Sequence, residues 1–306
     1  MQNVTTWRTW KPASAPTPEE LLRATLRAIW DLHTSYSGRS GNDEQWLWRG
    51  QANGEHGLDP AIHTRVRRSV DLTDENVKKA TSQLIGATRE AGLDCHESTT
   101  LPDLALLAML QHYGAATPLL DVSLDPVVAL YMAVVSPNPY DLKRDGAIFA
   151  IRRPTKNPIA RFDSRRHIYI YEKLPAAGVV TYEAPDVSER LRIQRGLFLI
   201  GKVSVSDNST MPLTFEIEGE PSSHWLEDRL NAHGAGWPAA AKTEVAVISI
   251  PSSIKKGLQK WLEERSGMTT DFVYPTRWHQ PHFEQFAKSH GRTSDLTLPS
   301  APISSH

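Results

Sequence analysis

Apolar side chains recur at helical spacing in several stretches of the chain. Thr17-Pro18-Glu19-Glu20 supplies an N-cap residue, a proline in the first turn and a glutamate three residues after the cap, so it predicts a helix start. Leu22, Leu26 and Ile29 continue this spacing, which extends the helix to about His33. The pattern predicts further helices over 74–90, 102–114, 126–135, 223–232 and 252–265.

Strand patterns concentrate in the second half of the chain. The run 45–50 alternates, so Trp46 and Trp48 share one face while Leu47 and Arg49 share the other. Other strands are predicted over 119–123, 146–151, 178–183, 197–203, 213–218 and 244–250. Because helices come first and strands then mix with helices, we expect an α+β fold with N-terminal helices and a strand-rich second half.

Proline and small polar residues set the predicted boundaries. Residues 1–18 contain Pro12, Pro16 and Pro18 and predict a flexible lead-in. Residues 291–306 are rich in Ser, Pro and Thr and predict a disordered tail. No linker composition interrupts residues 19–290, so we expect one domain there.

Composition narrows the classes of function. The 34 Lys and Arg residues nearly balance the 35 Asp and Glu residues, which excludes a broad electrostatic footprint for nucleic acid or an anionic membrane. The single cysteine, Cys95, excludes an intrachain disulfide framework and a multi-cysteine zinc site, and it favours a reducing, cytoplasmic setting. The longest apolar run, Val127–Val135, is far shorter than a membrane span, and the N-terminus has no signal-peptide pattern. We expect no membrane association.

Common catalytic and metal-binding templates do not match. The chain has no Gly-rich phosphate loop ending in Gly-Lys-Ser/Thr, no His-Glu-x-x-His and no Gly-x-Ser-x-Gly. Asp121, Ser123 and Asp125 alternate like the start of a calcium loop, but Pro126 stands where that loop needs glycine. We therefore expect no bound metal.

Two residues stand out as candidates for chemistry. Arg49 ends a predicted strand beside Gly50, where its planar donor fork suits a phosphate or carboxylate, although a structural ion pair fits equally well. His112 ends a predicted helix, where histidine commonly satisfies backbone carbonyls but also serves in functional sites. The sequence pattern leaves both alternatives open.

Several separated segments resemble the FRG domain family, and the resemblance covers roughly residues 19–290. The family is named for a Phe-Arg-Gly tripeptide, which here is Trp48-Arg49-Gly50. This chain departs from the family pattern at Pro118, where members often have Arg, and at Val122–Ser123, where they often have Trp-Thr. The matching segments are Trp48–Gln51, Gly57–Arg65, Leu106–Ala133, Asp145–Phe149, Arg192–Phe198 and 250–275.

A second resemblance, to ADP-ribosyltransferases of the Arg–Ser–Glu type, implies an activity. Trp48-Arg49-Gly50 resembles their arginine strand, and the run from Asp121 to Ala133 resembles their serine strand with its Ala-rich helix. The place of their glutamate falls at Gln194, with Glu183 or Glu189 as nearby substitutes. The resemblance implies NAD⁺ as substrate, with Arg49, His112, Ser123 and Gln194 as catalytic residues and Arg49, Gln111, Thr117, Asp121 and Ser123 as its binding residues.

Three functions follow as hypotheses. The first is a mono-ADP-ribosyltransferase or NAD⁺-cleaving effector of the bacterial defence or toxin type, acting on a protein or nucleic-acid acceptor. The second is a nucleic-acid module or metal-independent nuclease that uses Arg49, His112 and the basic run 65–68. The third is a non-catalytic module that binds a protein partner through tryptophan anchors. The anchors would come from Trp7, Trp10, Trp225, Trp237 and Trp278.

Overall fold

The computed structural model describes residues 7–10, 17–35, 46–56, 58–96, 98–153, 179–185, 189–203, 245–274 and 281–296. The predicted strand 213–218, the predicted helix 223–232 and three of the candidate tryptophans lie outside the described residues. Those tryptophans are Trp225, Trp237 and Trp278.

Five of the six predicted helices form close to their predicted bounds. They are α1 (Pro18–Ser35), α2 (Ala61–Arg67), α3 (Asp74–Glu90), α4 (Asp103–His112), α5 (Pro126–Val134), α6 (Pro139–Leu142), α7 (Glu189–Ile193), α8 (Lys255–Ser266), α9 (Thr270–Val273) and α10 (Pro281–Ser289). The predicted start of α1 is confirmed, because Thr17 Oγ1 accepts a hydrogen bond from Glu20 N at 3.2 Å. The sequence pattern did not predict α2, α6, α7, α9 or α10.

The strands form one large sheet and a small hairpin. They are β1 (Trp7–Trp10), β2 (Trp46–Gln51), β3 (Cys95–His96), β4 (Thr99–Thr100), β5 (Leu120–Ser123), β6 (Gly146–Arg152), β7 (Val179–Tyr182), β8 (Gly196–Gly201) and β9 (Val245–Ile250). The sheet order is β1-β9-β6-β2-β5-β8-β7, and β3 pairs with β4. The arrangement confirms the α+β class. Residues 7–10 fall in the predicted lead-in, yet they form the edge strand β1, which runs parallel to β9.

The sheet opens between its fourth and fifth strands. β2 and β6 pair along their whole length, from Trp46–Arg152 to Gln51–Ala147. In the described strands, Trp48 and Ser123 form the single bridging pair between β2 and β5. Beyond this pair the two strands are no longer joined by a ladder, so the sheet has an opening beside Arg49.

Three apolar clusters hold the sheet and helices together. Trp46 and Trp48 pack with α1, α5 and α8, as the alternation in β2 predicts. Helices α2, α3, α4 and α10 pack against β7 and β8. The third cluster joins Leu47 and Phe149 on one side of the opening to Val122 on the other. The strands flanking the opening are therefore fixed by packing on both sides.

Gly50 explains why a glycine follows Arg49. A Cβ atom at Gly50 would lie 1.7 Å from the carbonyl oxygen of Ala129 in α5. The helix backbone thus rests directly on β2 at this position, and no side chain fits between them. This close contact fixes Arg49 relative to α5 and β5.

The C-terminal segment 281–296 packs against the first half of the domain. Arg65 in α2 donates a hydrogen bond from Nη2 to the carbonyl of Asp295 at 3.0 Å. Leu296 is buried in the cluster that contains α2 to α4. Residues 291–296, placed in the predicted tail, therefore form part of the packed structure. No helix in the described ranges has the length and apolar character needed to cross a membrane.

Candidate functional site

Arg49 and Asp121 meet across the opening in the sheet. Arg49 Nη1 donates a hydrogen bond to the backbone carbonyl of Asp121 at 2.8 Å, and the same nitrogen lies 3.6 Å from Asp121 Oδ2. The Arg49 side chain is 19% exposed, whereas that of Asp121 is 44% exposed. The arginine therefore replaces the missing strand ladder, and the carboxylate remains accessible to solvent.

Gln111 and Thr117 hold the Asp121 carboxylate in place. Gln111, near the end of α4, donates from Nε2 to Asp121 Oδ2 at 2.9 Å. Thr117 Oγ1 donates to Gln111 Oε1 at 2.7 Å and accepts from Leu119 N. Because Thr117 is fully buried, this chain of bonds ties the carboxylate to the interior. The structure thus brings together three of the predicted binding residues.

Ser123 and Gln194 lie near the same opening but bond to backbone atoms. Ser123 Oγ donates to the carbonyl of Gln194 at 2.6 Å and accepts from Asp125 N at 2.9 Å. Gln194 Nε2 donates to the carbonyl of Val273 at 3.0 Å. Both residues are buried, so their side chains position β5, β8 and the end of α9. Their predicted catalytic roles remain predictions.

His112 ends α4 beside Arg190 of α7. Arg190 Nη1 donates to the backbone carbonyl of His112 at 3.0 Å, and the His112 ring packs edge-on against Tyr113. Burial, reinforced by the nearby charge of Arg190, lowers the pKa of His112 to about 3. The imidazole is therefore neutral at neutral pH.

Arg190 and Tyr274 are site residues that the sequence pattern did not identify as such. The Arg190 guanidinium carbon lies 4.3 Å from the centre of the Tyr274 ring. Burial raises the pKa of Tyr274, and its surroundings include the charges of Arg190, Asp121 and Arg49. The last segment of the FRG resemblance contains Tyr274 and was the only sequence signal for it; none pointed to Arg190.

Arg292 approaches the site from the C-terminal segment. Its Nε donates to Thr64 Oγ1 of α2 at 3.0 Å. Burial lowers the pKa of Arg49, Asp121 opposes that shift, and the charge of Arg292 adds to it. The charge of Arg292 therefore acts against that of Arg49. Residue 292 falls in the predicted tail, so the sequence pattern gave no reason to place it here.

The two glutamates considered as substitutes have different surroundings. Glu183 forms an ion pair with Arg153, with Oε1 2.7 Å from Nη2. Glu189 Oε1 lies 3.9 Å from Arg192 Nη2, and its buried Oε2 has no hydrogen-bond partner among the described residues. Asp121 is the carboxylate that the structure places against Arg49.

The basic run 65–68 is partly exposed, because Arg67 and Arg68 are at the surface while Arg65 is buried. Arg65 is buried and binds the carbonyls of His290 and Asp295. Arg67 Nη1 lies 2.5 Å from Asp59 Oδ2. Arg65 is therefore not available to nucleic acid, whereas Arg67 and Arg68 remain exposed, and the nucleic-acid hypothesis stays a prediction. Within the described ranges, no group of three or more His, Cys, Asp or Glu side chains could hold a metal ion.

Comparison with known proteins identifies part of the chain. The family model of the FRG domain matches residues 44–142, which include Arg49, Gln111, Thr117 and Asp121. No curated protein and no solved structure matches the chain. Ser123 and His112 also lie in the matched region, whereas Arg190, Tyr274 and Arg292 lie beyond it.

Proposed function

The chain contains an FRG domain at residues 44–142, and we propose that the opening between β2 and β5 binds NAD⁺ and cleaves its bond between ribose and nicotinamide. ADP-ribose then passes to an acceptor or to water. The observation that carries this proposal is the Arg49–Asp121 pair, which joins a largely buried guanidinium to a half-exposed carboxylate. An NAD⁺-cleaving site needs both a cation for the substrate and a carboxylate for the reacting ribose.

Asp121 is the residue suited to the chemical step. When the C1′–N bond breaks, nicotinamide leaves with the bonding electrons and positive charge develops on the ribose ring. A fixed carboxylate stabilises that charge. Asp121 Oδ2 is already bonded to Gln111, whereas no hydrogen bond from the described residues reaches Oδ1. The acceptor oxygen, or water, then bonds to C1′ and loses its proton to solvent.

In this proposal the remaining predicted residues hold Asp121 and its strand in position. Gln111 and Thr117 orient the carboxylate, and Ser123 fixes the strand that carries it. Gln194 occupies the place that the resemblance gives to a glutamate, but its amide binds Val273. In this proposal the charge that a glutamate would provide comes from Asp121. His112 remains neutral and supports Arg190 through its carbonyl.

The test is nicotinamide release from NAD⁺ by the purified full chain, alone and with cell lysate. We expect Arg49→Ala to lower the rate by roughly a hundredfold, as is typical when one donor of a preorganised site is removed. Arg23→Ala is the matched control, because Arg23 is an exposed arginine of α1 paired with Glu19. Labelled NAD⁺ would then show whether a protein, a nucleic acid or water receives the ADP-ribose.

Two outcomes would reject this function. One is an Arg49→Ala variant that binds and consumes NAD⁺ as well as the parent chain. The other is a folded parent chain that neither releases nicotinamide nor binds NAD⁺ by calorimetry. If release is found, loss of cellular NAD⁺ on expression would support an effector of the toxin or defence type.

A further inference from the structure

Three arginines around the opening use few of their hydrogen-bond donors. A guanidinium carries five N–H groups. Among the described residues, Arg49 and Arg190 each bond through Nη1, and Arg292 bonds through Nε. The Nε atoms of Arg49 and Arg190 are buried and have no partner among the described residues. No described residue accepts a hydrogen bond from Nη2 of Arg49 or Arg190, or from either terminal nitrogen of Arg292, so these N–H groups remain for another molecule.

Two other partly buried arginines of the described chain pair with carboxylates. Arg89 reaches the carboxylates of both Asp94 and Asp103. Arg153 pairs with Glu183. Arg65, in contrast, binds two backbone carbonyls, and its buried Nε also has no partner among the described residues. Unsatisfied donors alone therefore do not distinguish the three arginines at the opening from an arginine that serves structure.

The charge at the opening is also incompletely balanced. Asp121 is the carboxylate that acts on both Arg49 and Arg190, and it raises the pKa of each against the larger effect of burial. Arg292 adds a third positive charge within reach of Arg49. Arg49 and Arg190 therefore share one carboxylate while Arg292 adds further positive charge, and a buried positive charge without a counter-ion is costly. An anionic ligand would supply the missing negative charge.

The arginines are held in place before any ligand arrives. Arg190 is fixed between the His112 carbonyl and the face of Tyr274. Arg292 is anchored on α2 by Thr64, and the backbone N–H of Ile62 in the same helix binds the carbonyl of Thr117. A preorganised fork loses less side-chain entropy when it binds an oxyanion.

We propose that Arg190 and Arg292, together with Arg49, form a subsite for the diphosphate group of a nucleotide. The doubly charged group matches the excess of positive charge, and guanidinium forks suit phosphate oxygens. This inference deepens the function proposed above and rests on it for the identity of the whole ligand. It adds two binding residues from segments beyond the FRG match.

The experiment measures binding of inorganic pyrophosphate to the full chain by titration calorimetry at low ionic strength. We expect pyrophosphate to bind more tightly than inorganic phosphate, and binding to weaken as salt is added. Arg292→Gln and Arg190→Gln should each weaken it roughly tenfold or more, because each removes charged hydrogen bonds. Arg68→Gln is the matched control, because Arg68 is exposed at the end of α2. Circular dichroism melting confirms that each variant is folded.

The outcomes separate this inference from the proposed function. Pyrophosphate binding that depends on Arg190 and Arg292, without nicotinamide release, keeps the subsite and rejects NAD⁺ cleavage. Nicotinamide release with no pyrophosphate binding, or with binding that both variants leave unchanged, rejects the subsite and keeps the activity. Equal affinity for phosphate and pyrophosphate also rejects a diphosphate subsite. If Arg190→Gln does not fold, the pyrophosphate affinity of Arg292→Gln alone decides whether the subsite is kept or rejected.

Discussion

Arg49 and Asp121 are joined by a side-chain to backbone hydrogen bond of 2.8 Å at the place where β2 and β5 part. Because this bond uses the backbone carbonyl, the carboxylate of Asp121 is bonded by Gln111 and is exposed to solvent. A strand carbonyl normally pairs with a neighbouring strand, so a guanidinium in that place spans the sheet opening. The predictions below test the parts of this arrangement separately.

Asp121→Asn tests whether the negative charge at the opening, and not only the shape of the side chain, is needed for activity. Asparagine keeps an oxygen for Gln111 but carries no negative charge, so we expect nicotinamide release to fall by about a hundredfold while the fold is kept. Asp71→Asn is the control, because Asp71 is exposed before α3. Steady-state rates and thermal melting of both variants give the comparison. An Asp121→Asn variant with the parent rate would show that the carboxylate takes no part in the step.

His112 should make the protein lose stability in acid. Burial, and next the charge of Arg190, lowers the pKa of His112 to about 3, whereas an unfolded histidine titrates near 6.5. Between these values the unfolded chain binds a proton that the folded chain does not, so the free energy of unfolding falls as the pH falls. The slope for one such group is at most about 1.4 kcal/mol per pH unit.

Urea unfolding of the parent and of His112→Asn measures this effect. The parent should lose stability relative to the variant as the pH is lowered from about 6.5 toward about 3. His96→Asn is the control at a second histidine. A parent and variant that respond identically to acid would show that His112 becomes protonated in the folded protein as easily as in the unfolded chain.

Gly50→Ala should be severely destabilising. The added Cβ would lie 1.7 Å from the Ala129 carbonyl, so β2 or α5 must move. We expect a loss of roughly 3 kcal/mol or more, or failure to fold. Gly86→Ala in α3 meets no atom within 4 Å and should instead stabilise by about 0.5–1 kcal/mol. Chemical denaturation of the two variants tests the contact; a Gly50→Ala variant of parent stability would contradict it.

Ser123→Ala should reduce stability. It removes an acceptor for Asp125 N and a donor to the Gln194 carbonyl in a buried place, which typically costs about 1–3 kcal/mol. Ser82→Ala, on the exposed face of α3, should change stability by less than about 0.5 kcal/mol. Thermal melting gives both values. Unchanged stability with lost NAD⁺ binding would indicate that Ser123 contacts the ligand directly.

The sequence predicted the part of the site that lies within continuous motifs. The helix ending at His112 and the strand ending at Ser123 were both predicted, and they bring Gln111 and Asp121 into hydrogen-bond contact. Alternation in β2 correctly separated Trp48 from Arg49. These features depend on local periodicity and on turns, which the order of residues encodes directly.

The remaining parts depend on contacts between distant segments. Arg190 bonds to a carbonyl 78 residues earlier in the chain, and Arg292 bonds to a hydroxyl 228 residues earlier. No periodicity relates such positions. The buried amide of Gln194 was equally unpredictable, because its partner is a backbone carbonyl of Val273. Strand β1 was not predicted, because its four residues are too few for an alternation of apolar and polar side chains to be recognised.

The parallel pairing of β1 with β9 has a consequence for how the protein is made. Trp7–Trp10 emerges from the ribosome more than two hundred residues before Val245–Ile250, its neighbour in the sheet. The edge of the sheet therefore cannot close until synthesis has passed β9. Such distant pairing slows folding, since the intervening chain must be ordered first. Until then the nascent N-terminal strand is open to chaperones and to other chains.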